Sequence, residues 1–403
     1  MNYETMLGLI LDLGAEMIRS GGETHRVEDT VYRLVDSCGY RNCNVWVVPS
    51  NVQATVTDPQ GRVWTQIRQV RGSGVNFYIL DQLNNLSRWA CAEHPGEEAF
   101  AARLKEIQSI PPQKPWIHYL AGVLGAWGFG VFFGCGPLDS LTTALASLLV
   151  TFLVRRLSPK ESNPLILNFS ISLMTELFIL LAARLGLGAN TGAITIGVVM
   201  LLISGLGATN GLRDLVHLDT LSGLINLTAS FTGAIGIALG FALPMFFLSG
   251  SGGSGAAGLH PSFAVQLIFG TVACIGFSFW FKVRSRNILW CAVGAFLTWG
   301  VYYFAARHFE GVFFPTFAAS IFCGLYGQIL ARARKSPATV FTTIGILLLI
   351  PGSSLYYAMY GIVTRDTEFA YAKGVELGLT CFGIVLGFMV VEVANRFLWR
   401  HPH

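Results

Sequence analysis

The sequence predicts a mostly α-helical polytopic membrane protein, with about ten transmembrane helices arranged as a 5+5 inverted repeat behind a cytosolic α+β N-terminal domain. Three observations carry this. Of 403 residues, 53% are apolar and only 12% charged, and 45 are glycine, which suits close helix packing in lipid. From about residue 116 onward, apolar stretches of roughly 18 to 28 residues follow one another, each long enough for a hydrocarbon core of ~30 Å. Ahead of them, residues 1–110 hold most of the acidic residues and mix two periodicities.

In that head, Leu7, Ile10, Leu11, Leu13, Met17 and Ile18 recur at helical spacing until Ser20-Gly21-Gly22 stops the helix. A second helix is expected over 23–37, with Val27, Val31, Leu34 and Val35 on its apolar face. Residues 45–48, 53–57 and 63–70 alternate like short strands, and Asp58-Pro59-Gln60-Gly61 makes a hairpin turn. Helices return at 77–93 and 96–107, before the stiff linker Pro111-Pro112-Gln113-Lys114-Pro115. No basic start followed by an unbroken apolar core opens the sequence, so no cleaved signal peptide is expected and the N-terminus is placed in the cytosol.

The expected spans lie near 116–135, 138–154, 165–183, 189–207, 222–248, 261–281, 287–305, 311–331, 338–360 and 370–397. Loop charges agree with this count. Starting inside, cytosolic segments collect Arg155, Arg156, Lys160, Arg213, Lys282, Arg284, Arg286, Arg332, Arg334 and Lys335, whereas the other side receives only Arg184, Arg307, Arg365 and Lys373. A Gly/Ser-rich loop, 249–258, joins two membrane units, 116–249 and 261–399. Five spans per unit is odd, so the second unit enters from the opposite face.

The chain is organised around 343–366. There a long apolar run is broken by Pro351-Gly352-Ser353-Ser354, where proline removes a backbone donor and glycine tolerates the bend. The helix should end near Ile350 and restart with Ser353 or Ser354 as N-cap, presenting unpaired N–H groups that suit a carboxylate. The run TIGVVMLLISG from Thr195 resembles TIGILLLIPG from Thr343, matching Ser204-Gly205 to Pro351-Gly352, and the glycine-spaced run 236–241 matches 383–388. Paired interrupted segments of this kind point to a transporter's substrate site. Each half also carries an Arg-Asp pair, Arg213-Asp214 inside and Arg365-Asp366 outside, out of strict register. These read as two gates by symmetry or, more plainly, as solvated loops.

Glu176, in LMTELFILL, is the deepest acid, and an intramembrane carboxyl is costly enough to be a candidate carrier of the coupling proton; the plain alternative is a hydrogen-bonded structural Glu. Glu376 is a weaker candidate, and no Lys or Arg is expected deep in a span. Residues 22–29, GETHRVED, tempt a hydrolase or metal reading. Only His25 and Asp29 have i, i+4 spacing, however, and no Ser or Cys nucleophile with a base is apparent, so a charged helix start is expected. The eight cysteines form no CxxC and read as packing residues or reduced thiols. The net charge of +4 comes largely from residues flanking the membrane and gives no reason to expect nucleic acid.

On these motifs the chain resembles the threonine/serine exporter family, including its two-subunit relatives implicated in C4-dicarboxylate export. SGGETHRVEDT is similar to that family's head motif (Glu23, Arg26, Glu28), NGLRDLVHLDTLSG to its NxxRDxxxGDxxSG-like motif (Asn210, Arg213, Asp214, Asp219), and IPGSSLYYAM to its PGSxLY motif. Departures are His25 for Tyr, Gly22 for Ala, and Leu218 for the Gly before Asp219. The resemblance implies proton-driven export of a small hydrophilic carboxylate. Repeat and motifs together make Ser204, Gly205, Thr209, Asn210, Pro351, Gly352, Ser353, Ser354 and Tyr356 the candidate substrate positions.

The expected function is therefore secondary export of threonine and serine from the cell across its inner membrane. The alternatives are a C4-dicarboxylate such as succinate, or a tethered enzyme or sensor acting through the head. No GxxxxGK[ST] loop occurs, which argues against direct ATP drive. The expected partners are the substrate, a proton and the lipid bilayer, with no cofactor and no metal; a homo-oligomer fits this picture.

Overall fold

The structure is a computed structural model describing residues 2–72, 74–203, 207, 210–211, 214–215, 218–248 and 261–398. Ser204, Gly205, Thr209 and Arg213 lie outside the described residues.

The head comprises α1 (Tyr3–Arg19), α2 (Thr24–Ser37), β1 (Arg41–Val48), β2 (Asn51–Thr57), β3 (Val63–Gln69), α3 (Phe77–Glu93) and α4 (Glu97–Gln108). Its strands form one antiparallel sheet in the order β1-β2-β3. Alternation along β2 turns Val52, Ala54 and Val56 into a core shared with Leu7, Ile10 and Leu11 of α1. Gly14 lets α1 approach: a Cβ there would stand 2.9 Å from Val31 of α2 and 3.3 Å from Val52 of β2. β1 is longer than its alternation predicts, because Arg41 pairs with Thr57 across a register shift that the polar Asn42-Cys43-Asn44 stretch conceals.

Behind the linker run α5 (Pro115–Phe132), α6 (Pro137–Leu157), α7 (Pro164–Arg184), α8 (Thr191–Val199) and α9 (Thr220–Leu248). Beyond the described gap at 249–260 come α10 (Phe263–Trp280), α11 (Ser285–Ala305), α12 (Phe313–Arg334), α13 (Ala338–Ile346) with a 3₁₀ turn at Leu347–Leu349, α14 (Gly352–Val363) and α15 (Thr367–Leu398). Among the described residues, seven of these helices are long and apolar enough to cross a membrane, and the bent pair α13–α14 brings the number to eight if it is counted as one broken span. Two of the ten expected spans are not among them. The nine residues of α8 rise only about 14 Å, and α5 is diluted by glycines, His118 and two tryptophans.

Several contacts recur in the two halves. Gly236 and Gly240 of α9 sit against Leu165 and Phe169 of α7, and Gly383 and Gly387 of α15 sit in the same way against Phe313 and Phe317 of α12. Asp139, third residue of α6, accepts from Ala189 and Asn190 N–H (2.8 and 3.1 Å) ahead of α8; Asn287, third residue of α11, donates to Ser336 Oγ (3.1 Å) ahead of α13. Arg184 at the end of α7 bonds Leu248 O at the end of α9 (2.9 Å), and Arg332 near the end of α12 bonds Asn395 near the end of α15. Between the halves α5 and α10 pack closely, since a Cβ at Gly276 would lie 2.5 Å from Gly125 N and one at Gly128 2.7 Å from Ala273 N.

α13 is seated on sulfur. Cys274 of α10, Cys291 of α11 and Cys323 of α12, all buried, donate their thiols to Ile344, Val340 and Thr342 carbonyls at 3.6, 3.7 and 3.5 Å. None of the eight cysteines forms a disulfide among the described residues.

The turns before α9 and α15 are alike as well. Leu218 and Arg365 both adopt left-handed φ, 69° and 61°; Asp219 N–H then bonds Asp214 O and Asp366 N–H bonds Gly361 O, each at 2.9 Å. Leu218 thus occupies a position that favours glycine, which is where the family motif carries one. Leu218→Gly is expected to stabilise the protein by up to about 1 kcal/mol, the released strain less glycine's added chain entropy. The check is the thermal midpoint in detergent, and a lower midpoint would show that the exposed Leu218 side chain makes contacts that matter more than its backbone.

Candidate functional site

One interrupted helix, α13–α14, meets the end of α8 inside the membrane part. α13 closes through its 3₁₀ turn, Ile350 is extended (φ −63°, ψ 123°), Pro351 turns (φ −79°, ψ 55°), and α14 leaves at 42° to the first segment. The break is where the sequence puts it, but the cap is not. Pro351 is the N-cap, Gly352 opens the helix, and Ser353 and Ser354 lie within its first turn because the proline's fixed φ already turns the chain. Among the described residues no side chain caps α14; Gly352 N–H bonds Ile350 O (2.8 Å), and the N–H groups that follow form the kind of end that receives an anion. Gly352 is what allows this break to approach the end of α8: a Cβ there would run into Met200 Sδ and come within 3.0 Å of Ile203.

Glu176 on α7 is 1% exposed, and its Oε2 accepts from Thr195 Oγ1 of α8 at 2.9 Å. Its Oε1 has no partner among the described residues. Tyr356, one turn into α14 and 4% exposed, lies within electrostatic reach of that carboxyl, and its hydroxyl would stand 3.5 Å from a Cβ on Gly192 at the start of α8. Three elements, two before the central loop and one after it, thus bring a carboxyl, a hydroxyl and a phenol together. Asn168, Ser170 and Thr175, the polar residues near Glu176 in sequence, instead bond backbone carbonyls of Gly233, Ile166 and Ile171.

A second polar group adjoins the break. Ser354 Oγ donates to Glu376 Oε1 (2.9 Å) and Lys373 Nζ to Glu376 Oε2 (2.6 Å), both on α15. Lys373 sits in the second turn of α15, near the helix end rather than deep in the span, partly buried and paired with a neighbouring carboxylate. The signal was Lys and Glu three apart on an apolar helix, one turn from each other.

The head grips the membrane part on one face. Thr339 Oγ1, at the start of α13, donates to Glu23 Oε1 (2.6 Å), and Thr24 Oγ1 and Asn226 Nδ2 both donate to Asp214 Oδ2 (3.4 and 2.9 Å). Arg284 pairs with the buried Asp81 at 3.3 Å, and Phe77 N–H bonds Phe281 O. Glu28 is half-buried; desolvation and the nearby Asp219 carboxylate raise its carboxyl above the usual range, and a backbone hydrogen bond at Val47 partly opposes them. Glu23, Arg26, Asp29 and Arg33 line two clefts, of about 450 and 410 Å³, on either side of α2, and the second reaches Thr342 of α13 and Glu392 of α15. What reads as a charged helix start is also a joint between head and membrane helices.

The Arg-Asp pairs are not counterparts. The shared turn geometry sets Asp366 opposite Asp219, with Asp366 Oδ1 capping α15 by accepting from Phe369 N–H (3.0 Å), while Asp214 is buried at the head joint. Arg365 and Asp366 are exposed, as solvated loop residues would be. Asn210 is half-buried at the edge of the described residues.

A polytopic helical membrane protein with a broken helix beside buried polar groups has the build of a transporter. Residues 8–248 match the family model described as a putative threonine/serine exporter, and residues 266–394 match one described as threonine/serine exporter, ThrE. The chain belongs to the threonine/serine exporter family, in its fused two-part form, and is a transporter rather than an enzyme. It is 23% identical over 338 residues to a threonine/serine exporter of Corynebacterium glutamicum, covering 81% of this chain and 69% of that one. It is 21% identical over 410 residues to a probable threonine/serine exporter of Mycobacterium tuberculosis, covering 96% and 76%. No solved structure matches it.

Proposed function

We propose that this chain is a secondary exporter of threonine and serine, driven by the proton motive force, in the inner membrane of the cell. The observation that carries the mechanism is the meeting of the Gly352 break with the end of α8 beside Glu176, Thr195 and Tyr356. The substrate carboxylate faces the uncapped start of α14, and Glu176 exchanges the coupling proton. The relatives' names, threonine/serine exporters, supply the substrate class.

The membrane part is read as ten spans in a 5+5 inverted repeat, with α5 and the α8 segment as the two that length and composition alone do not count. Support comes from the paired glycine seats, the paired third-position ties at Asp139 and Asn287, and the paired left-handed turns at Leu218 and Arg365. An inverted pair lets one arrangement close toward the cytosol and its mirror close toward the outside. The head sits on the cytosolic side, because the segments it grips include the Lys282–Arg286 loop and the segment after Lys335, both rich in basic residues.

Counterflow in proteoliposomes with threonine, serine, succinate and pyruvate, under an imposed pH gradient, tests the substrate and the coupling together. Threonine and serine are expected to exchange and to accumulate with the gradient; exchange of succinate alone would move the protein to the dicarboxylate reading. In the same preparation a cysteine replacing Ser158 should react with an impermeant reagent only from the head side, and labelling from the opposite side would overturn the topology.

A further inference from the structure

We propose that the Lys373–Glu376 pair is the element that selects a zwitterion, with Lys373 sharing the substrate carboxylate with the first N–H groups of α14 and Glu376 taking its ammonium group. This rests on the reading of the α14 break as the substrate site, and adds to it the chemistry by which amino acids are told from other carboxylates.

The pair stands in the first turns of α15, a helix apolar enough to span the membrane, and its two charges are within 2.6 Å. Charged side chains in such a helix are retained where they pair with each other or serve a pathway. This pair is joined to the break itself, since Glu376 accepts from the buried Ser354 of the first turn of α14. Lys373 stands 5.9 Å from the ring of Tyr357 on the same half-helix, and Tyr302 of α11 is within electrostatic reach of Glu376. Stacked on Tyr302 at 4.8 Å is Trp299, 8% exposed, whose Nε1 has no hydrogen-bond partner among the described residues. A buried indole donor without an acceptor is uncommon, and its place beside this cluster points to a ligand oxygen that would complete it.

The chemistry follows from charge. An ammonium bonded to a carboxylate is the same pair of groups that an α-amino acid carries. A substrate zwitterion can therefore insert into the pair, with its carboxylate on Lys373 and its ammonium on Glu376, and both protein charges keep a partner. The net charge of the site is zero before and after loading, which spares a loaded site the burden of carrying charge through a low-dielectric interior. A dicarboxylate would set its second negative group against Glu376. A plain monocarboxylate such as pyruvate would draw Lys373 away and leave the partly buried Glu376 without a cation.

The test uses the full-length protein in proteoliposomes, with radiolabelled threonine counterflow as the readout. On the wild type, threonine methyl ester, which lacks the negative charge, and N-acetylthreonine, which lacks the positive one, are expected to compete at least about tenfold more weakly than threonine, the loss of one charge-assisted hydrogen bond. Equal competition by either would overturn the proposal with no mutant needed. In Glu376→Gln, threonine exchange is expected to fall about tenfold or more while succinate becomes a competitor; Lys373→Gln should weaken both. The double exchange Lys373→Glu with Glu376→Lys restores the pair and should recover threonine over succinate. If Glu376→Gln folds and keeps the wild-type preference for threonine over succinate, the pair is structural. Absence of any threonine counterflow in the wild type would instead refute the exporter reading, so the two failures are distinct.

Discussion

Replacing Pro351 and Gly352 together by Ala and Leu is expected to reduce transport to background while the protein still inserts and purifies as a single species. Without the proline the chain can continue helical from α13 into α14, so that the first-turn N–H groups of α14 become paired internally and are withdrawn from any ligand. The larger second residue also meets Met200 and Ile203, forcing α14 away from the end of α8. Each change alone should be milder: Pro351→Ala restores a donor but leaves the Gly352 contact, and Gly352→Ala introduces only a Cβ. The measurement is uptake into inverted vesicles alongside gel filtration. A double mutant that transports at the wild-type rate would show the break to be packing and would move the site elsewhere between the halves.

Glu176→Gln is expected to separate coupling from exchange. Glutamine keeps the shape and leaves an amide oxygen for Thr195 Oγ1, but it has no proton to exchange. Uphill accumulation under a pH gradient should vanish, whereas threonine–threonine exchange should persist within a few-fold of wild type. If the variant still concentrates substrate in response to the gradient, Glu176 is a structural carboxyl and the proton travels another way. Measuring Thr195→Val beside it separates loss of the hydrogen bond from loss of the proton.

Much of this architecture was legible in the sequence because it is written in local periodicity. The alternation of Val52, Ala54 and Val56, the i, i+3, i+4 pattern from Leu7 to Ile18 and the stop at Ser20 are each decided by neighbours in the chain, and the head elements fall within a few residues of expectation. The break at Pro351-Gly352 was legible for the same reason. Its capping was not, since Ser353 and Ser354 are better N-caps by type than the proline that holds the position. Glu176 announced itself by its cost in lipid, but its companions Thr195 and Tyr356 come from other helices, and no spacing rule reaches them. The Glu23–Thr339 bond spans 316 positions, so the head motif looked like a solvated helix start. Lys373 was visible and fell within the expected span 370–397, but Ser354, which shares Glu376 with it, lies on another helix, which no local spacing reveals.

The sulfur seat beneath α13 bears on how firmly that half-helix is held. Thiols are weak donors, and the carbonyls they touch already serve the helix's own ladder, so parting from Cys274, Cys291 and Cys323 orphans no strong hydrogen-bonding group. Three hydroxyls or amides in their place would fasten the same surface much more tightly. α13 is thus held along its length by soft, polarisable contacts on three sides, with a stronger hydroxyl–carboxylate bond at its start, where Thr339 meets Glu23.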